Sequence, residues 1–281
     1  MANKALLGAL AFLALAVPAP AATLPRPAHV IVVIDENQAF WQVLGEGAKY
    51  APWLNSIAKT GAIFTDSHGV THPSQPNYLA LFAGLTNTNG DDCPAVGFSR
   101  TAPNLASELL AAHLTFKAYS ESLPKPGFMG CWTGTDISAD QYGQKHAPWT
   151  QFTNVPQRLH VPFSALKSYD QLPTLSFIVP NFVDDMHDAP VKVGDDWARK
   201  NLAPLVAWAQ THDALVIFTW DEGYDRANSL PTFFVGPMVK TGRYGERIDH
   251  YRVLRTLEDM YGLAPTGKAA SVQPIADVWK T

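Results

Sequence analysis

The stretch His29-Val-Ile-Val-Val-Ile34, followed at once by Asp35-Glu36-Asn37, decides how this chain is read. A short, β-branched, uniformly apolar run is the pattern of a strand buried on both faces of a parallel sheet. A second such unit, Ala214-Leu-Val-Ile-Phe-Thr-Trp220, ends in Asp221-Glu222. In open α/β sheets ligands bind just beyond the carboxyl ends of the strands. Two strands that end in acids, about 185 residues apart, therefore have a physical reason to share one site. Three carboxylates and an amide form a hard oxygen cage suited to a divalent cation, with calcium, magnesium or manganese favoured.

Working outward, strand and helix patterns alternate. Helices are expected over Ala51–Thr60, where Pro52 occupies the first turn and Gly61 follows as a stop, and over 76–84, 103–113, 195–210 and 250–261. Further strands are expected over 62–65, 115–119, 174–179 and 231–235. This alternation predicts an α/β fold with a mostly parallel central sheet and helices on both faces. From Ser120 to about Val161 the chain is rich in Pro, Gly, Trp and His without a period. An insertion of that length in a compact domain is often a functional lid or rim.

Residues 1–22 carry one positive charge at Lys4, then an apolar run over 5–17 and small residues up to Ala22. That is the pattern of a secretory signal, and the run is shorter than the ~20 residues of a membrane span. Export to the periplasm or the medium, a single catalytic domain over 23–281 and no stable membrane insertion are expected. The formal charge of −4 becomes −5 once Lys4 leaves with the signal, and there is no basic stripe, which argues against nucleic acid as a partner. The sequence does not give an oligomeric state. The two cysteines, Cys93 and Cys131, are expected to pair in an exported protein, two buried free thiols being the alternative. Closing that loop would contribute roughly 3–4 kcal/mol.

Ser74 lies in Thr71-His-Pro-Ser-Gln-Pro-Asn-Tyr78, two residues before Pro76. A hydroxyl at a helix N-terminus lies where free N–H groups attract phosphate, and a nearby cation or base would make it a nucleophile. Taken alone it reads more readily as an N-cap, and the expected carboxylate cage beside it reverses that preference. The loop Asn181-Phe-Val-Asp-Asp-Met-His-Asp188 follows another strand and offers Asp185 and His187. His250 opens the last helix. His68, His72 and His146 could line a pocket, but each reads more readily as structural. The flanks of Ser74 do not form G-x-S-x-G, and there is neither a P-loop nor G-x-G-x-x-G, so a hydrolase elbow and nucleotide cofactors are disfavoured.

Five strings in order, Val33–Asn37, His72–Tyr78, Asp184–His187-Asp188, Thr219–Gly223 and His250–Glu258, resemble the secreted phosphoesterase family of bacterial acid phosphatases and zinc-independent phospholipases C. Tyr119-Ser-Glu-Ser-Leu-Pro-Lys-Pro-Gly127 resembles its phosphatase-like branch. The resemblance implies an alkaline-phosphatase-like sheet and hydrolysis of a small phosphomonoester through a phosphoserine. It makes Glu36, Asn37, Asp221 and Glu222 the cation ligands and Ser74 the nucleophile. His187 and His250 would assist the phosphoryl or leaving group, with Asn77 and Asp185 beside the substrate. Asp35 departs from the pattern, since many relatives carry an apolar residue there; it should point away from the cation or add an outer carboxylate. A phospholipase C acting on diesters, or a non-catalytic metal or phosphate binder, are the rival expectations.

Overall fold

In the computed structural model, residues 24–87, 90–133 and 141–280 are described; the expected signal over 1–22 lies outside them. Ten strands form: β1 His29–Asp35, β2 Ala62–Phe64, β3 Ser67–His68, β4 Phe116–Ser120, β5 His160–Pro162, β6 Leu175–Val179, β7 Ala214–Trp220, β8 Thr232–Val235, β9 Gly242–Tyr244 and β10 Ile248–Asp249. The α-helices are α1 Phe40–Val43, α2 Pro52–Ala58, α3 Ser74–Ala83, α4 Leu105–Ala111, α5 Val191–Ala209 and α6 His250–Tyr261.

Eight strands make one sheet in the order β5-β4-β6-β1-β7-β8-β2-β9, and β3 pairs with β10 apart from it. All pairings in the large sheet are parallel except those of β8, which runs against β7 and β2. The connection from β7 to β8 is too short for a crossover helix, so the chain must turn back on itself and pair antiparallel.

Alternation along β1 explains the layering. Val30, Val32 and Ile34 pack with Leu79 and Phe82 of α3, Leu105 of α4 and Leu254 of α6. Ile31 and Val33 face the opposite core, with Leu54 of α2 and Leu202 and Leu205 of α5. Both faces are therefore covered by helices, which is why β1 can be apolar throughout. Among the described residues no helix is long and apolar enough to cross a membrane.

Register positions the site. β1 and β7 are neighbours, with Asp35 opposite Trp220, so Glu36 and Asp221 leave the sheet side by side. The Asp221 amide donates to the Asp35 carbonyl at 3.1 Å, which extends the ladder by one residue. Helix α3 begins at Ser74, two residues earlier than expected, with Pro73 as its N-cap. Ser74 thus occupies the first turn rather than capping it.

Candidate active site

Beyond the carboxyl ends of β1 and β7 lies a knot of buried acids. Glu36, Asp185, Asp221 and Glu222 are all buried, as is the Ser74 hydroxyl among them. Ser74 donates a short hydrogen bond to Glu36 Oε1 and sits 3.3 Å from Glu222 Oε1. Asp221 lies close enough to feel the Glu36 and Glu222 charges. Tyr78, one turn along α3 from Ser74, donates to Glu36 Oε2 at 3.0 Å.

Backbone anchors fix these side chains. The Glu36 amide donates to the Asp185 carbonyl at 2.9 Å, tying the end of β1 to the loop after β6. Asn37 holds a left-handed backbone, φ 56°, a conformation Asn tolerates better than most residues. That turn aims its N–H at Asp221 Oδ1, 2.9 Å away. The Asn37 side chain borders a cleft shared with His72, Glu222 and Arg226.

His146, read from sequence as more readily structural, lies at the centre of this knot. It is buried between two carboxylates, Nε2 3.0 Å from Glu36 Oε2 and Nδ1 3.3 Å from Asp185 Oδ2. Tyr78 stacks on its ring at 4.7 Å, and Phe182 meets it edge-on at 5.0 Å. The neighbouring Lys145 pairs with Asp91 at 3.1 Å and reaches to 4.0 Å from Glu36 Oε1. Neither residue carries a periodic signal, because both fall in the irregular stretch after Ser120. The pairing of Gln144 N–H with the Cys131 carbonyl, 2.8 Å, and the packing on α3 help to bring them here.

His187 enters from the loop after β6. Its Nδ1 is held 2.6 Å from Asp188 Oδ1, and its Nε2 lies 3.9 Å from Glu36 Oε1. Asp185, expected beside the substrate, is fully buried. Its Oδ1 accepts the His187 amide at 2.9 Å, so it orients the two histidines. Asn77 is likewise committed elsewhere. Its side chain accepts from the Val70 and Thr71 amides and donates to the Thr71 and Pro73 carbonyls, pinning the loop that delivers Ser74. His250, expected at the phosphoryl group, is buried beneath the site with Nε2 2.6 Å from the Asp221 carbonyl. It buttresses the end of β7, because opening helix α6 places it under the strand. Asp35 is buried and turned toward Asp185 and Asp184.

The electrostatics follow from this crowding. Burial, then the Glu36 and Glu222 charges, push Asp221 far above the usual carboxylate range. Burial raises Asp185 to about 6. Burial also raises Glu222, with the His72 contact pulling the other way. Asp35 is raised by burial and then by Asp185 and Asp184. Glu36 goes the other way: burial acts upward, but His146, Lys145 and the Ser74 hydroxyl together hold it well below the usual range.

Such a knot has the chemistry of a cation site. Asp221 Oδ2, Asp185 Oδ2 and His146 Nε2 have no aligned hydrogen-bond partner although buried. Buried acceptors normally find one. Ligand atoms of Glu36, His146 and Asp185 lie within 4.8 Å of one another, a grouping able to hold a metal ion. Of the expected ligands, Glu36 and Glu222 bring carboxylate oxygens to the Ser74 hydroxyl, but among the described residues Glu36, Asp221 and Glu222 do not converge as a metal grouping in the way Glu36, His146 and Asp185 do.

A mostly parallel sheet covered by helices on both faces is an alkaline-phosphatase-like α/β fold, and solved structures bear out the fold. A protein of the alkaline phosphatase superfamily from Vibrio parahaemolyticus superposes with a TM-score of 0.63 at 12% identity, covering 91% of this chain and 72% of that one. The C-terminal periplasmic domain of EcEptC from Escherichia coli, in complex with Zn, superposes at 0.57 and 12% identity, covering 88% and 87%. The Phosphoesterase family model matches residues 47–264. The chain belongs to that family and is a hydrolase of phosphoric esters.

Among relatives, it is 45% identical over 265 residues to the phosphatidylinositol-3-phosphatase of Mycobacterium tuberculosis, covering 92% of this chain and 85% of that protein. It is 29% identical to an acid phosphatase of Aspergillus fumigatus, covering 75% of this chain. The chain spans about half the length of the fungal acid phosphatases it matches, 51% and 55% for two of them.

Proposed function

We propose that this protein is an exported, cation-dependent phosphomonoesterase with Ser74 as its nucleophile. The observation that carries the reading is the Ser74 hydroxyl held between Glu36 and Glu222 in the first turn of α3. The helix dipole favours an anionic phosphoryl group at that turn, although its Gln75 amide is already held by Asp91 Oδ1 at 2.9 Å and Pro76 has no N–H.

Glu36, Asp221 and Glu222, with Asn37 at their edge, would hold a hard divalent cation. Glu36, His146 and Asp185 form a second grouping, in which the imidazole also admits softer metals. Such an ion, when bound, supplies positive charge to the phosphoryl oxygens and favours the serine alkoxide. The chain's residues do the rest. The carboxylate cluster accepts the Ser74 proton, Oγ forms a bond to phosphorus, and the bond to the departing alcohol oxygen breaks in line. Lys145 and His187 flank the far side, where His187 Nε2, oriented by Asp188, delivers the proton the alcohol needs. Water then cleaves the phosphoseryl ester.

The name of the M. tuberculosis relative makes a phosphoinositide monoester the first natural substrate to assay. The Cys93–Cys131 bridge accords with an oxidising compartment outside the cytosol. The test is Ser74→Ala assayed on p-nitrophenyl phosphate. Turnover is expected to fall at least about 1,000-fold, in line with nucleophile removals in other hydrolases, with an unchanged circular dichroism spectrum. Retention of most activity would refute the assignment.

A further inference from the structure

Next to the acid knot lies a cleft of about 200 Å³ that the hydrolytic machinery does not account for. Its apolar walls are the Cys93–Cys131 bridge, Trp132, Gly143 and Phe182, and its charged edge is Lys145 and His187 with their partners Asp91 and Asp188. Lys145 and His187 lie within 4.0 Å of Glu36 Oε1, the oxygen that accepts the Ser74 hydroxyl. The cleft therefore opens beside the oxygen that holds the nucleophile, on the side where His187 is proposed above to protonate the departing alcohol.

The walls are apolar and flat by construction. A Cβ on residue 143 would sit 2.2 Å from Phe182 Cζ, so only glycine lets that ring form the floor. Phe182 is itself fixed, with Lys145 Nζ 5.5 Å from its centroid and the His146 and His187 rings at 5.0 and 5.8 Å. Trp132 forms the rim with 54% of its surface exposed. It is held beside Gly143 by a short antiparallel bridge, and the disulfide ties Cys131, the preceding residue, to the segment carrying Asp91, which pairs with Lys145. A large aromatic left half-bare at the mouth of a cleft is a surface that gains by being covered. The volume is below the 300–1,000 Å³ of sites for drug-sized ligands, and suits one or two rings.

We infer that the Cys93–Cys131 bridge, Trp132 and Phe182 form a leaving-group pocket that selects phosphomonoesters whose alcohol carries a flat apolar ring. This rests on the phosphomonoesterase reading of Ser74. The disulfide is thereby a specificity element as well as a staple.

The test is the ratio of kcat/KM for 1-naphthyl phosphate to that for glycerol 2-phosphate. Each variant is compared with wild type, which cancels the intrinsic reactivity of the two esters. Trp132→Ala is expected to lower the ratio at least tenfold and to weaken competitive inhibition by 1-naphthol in step. A Cys93→Ser/Cys131→Ser double variant, or wild type reduced with dithiothreitol, is expected to lower it at least threefold. A ratio that stays within twofold of wild type in Trp132→Ala overturns the pocket while leaving the phosphatase reading intact. A ratio unchanged by loss of the bridge overturns the disulfide's part in it. Wild-type protein that hydrolyses neither ester overturns the reaction and the pocket together.

Discussion

A lone buried acid and a cluster of four meet opposite fates in this molecule. Glu258, in the middle of α6, is fully buried, and its Oε1 accepts from the Thr266 amide at 2.8 Å and hydroxyl at 2.6 Å. Its Oε2 has no partner, and burial raises the group to about 7. A proton on that oxygen removes the charge, and the local structure needs nothing else. At the ends of β1 and β7, by contrast, Glu36, Asp185, Asp221 and Glu222 crowd together, with Lys145, His146 and His187 within 4.0 Å of Glu36. Protons can relieve this repulsion only by giving up the ligand set. The difference teaches that one buried acid is an accommodation, whereas a converging group of them with orphaned oxygens marks a place for an external positive charge.

The largest effect that would test this contrast is on catalysis. His146→Ala should lower kcat at least about 100-fold, the upper end of effects seen when residues that orient a metal site are removed, whereas Glu258→Gln should leave kcat unchanged. Equal losses in the two variants, in steady-state assays, would erase the distinction. Next, calcium, magnesium or manganese added to chelator-treated protein should raise the unfolding free energy by about 2.7 kcal/mol at a hundredfold excess over Kd. Thermal denaturation with each ion in turn measures it, and no shift with any ion would sink the cation site.

A sign reversal sharpens the comparison further. In chelator, Asp221→Asn should stabilise the fold by about 1–2 kcal/mol, because the carboxyl it replaces is held far above its ordinary range and must take up a proton to fold at neutral pH. With the cation present the same variant should lose most of the ion-induced gain. Denaturant titrations in both conditions check the reversal. The smallest effect concerns Glu258. Its folded value of about 7 lies above the ordinary 4.5, so the native state binds the extra proton. Stability from that proton is full below about pH 4.5 and is lost as pH rises through 7, by at most about 3 kcal/mol. Glu258→Gln should flatten that slope while keeping the Thr266 contacts.

How far these features were legible in the chain varies by element. The runs His29–Ile34 and Ala214–Trp220 announced buried parallel strands, and the acids after them marked the ends where a site belongs. Helix α6 matches its expected limits because its apolar period is strong and Gly262 stops it. Ser74 was legible as a hydroxyl near a helix start, but not that the helix would begin with it. Lys145 and His146 were not legible as site residues, since the stretch after Ser120 has no period and its described residues form short turns plus the short strand β5. Asn77 and His250 were visible as polar residues in the right strings, yet their hydrogen bonds go to the backbone of neighbouring segments.

What the sequence determined by itself was the local grammar: which runs are strands and helices, where they end, and which chemistry follows them. Those depend on side-chain period and on neighbours within a few residues. The tertiary structure alone decided that Asp35 faces Trp220, so that Glu36 meets Asp221, and that His146 is drawn between Glu36 and Asp185. Register and packing join residues more than a hundred positions apart, and no local pattern encodes the energy of that meeting.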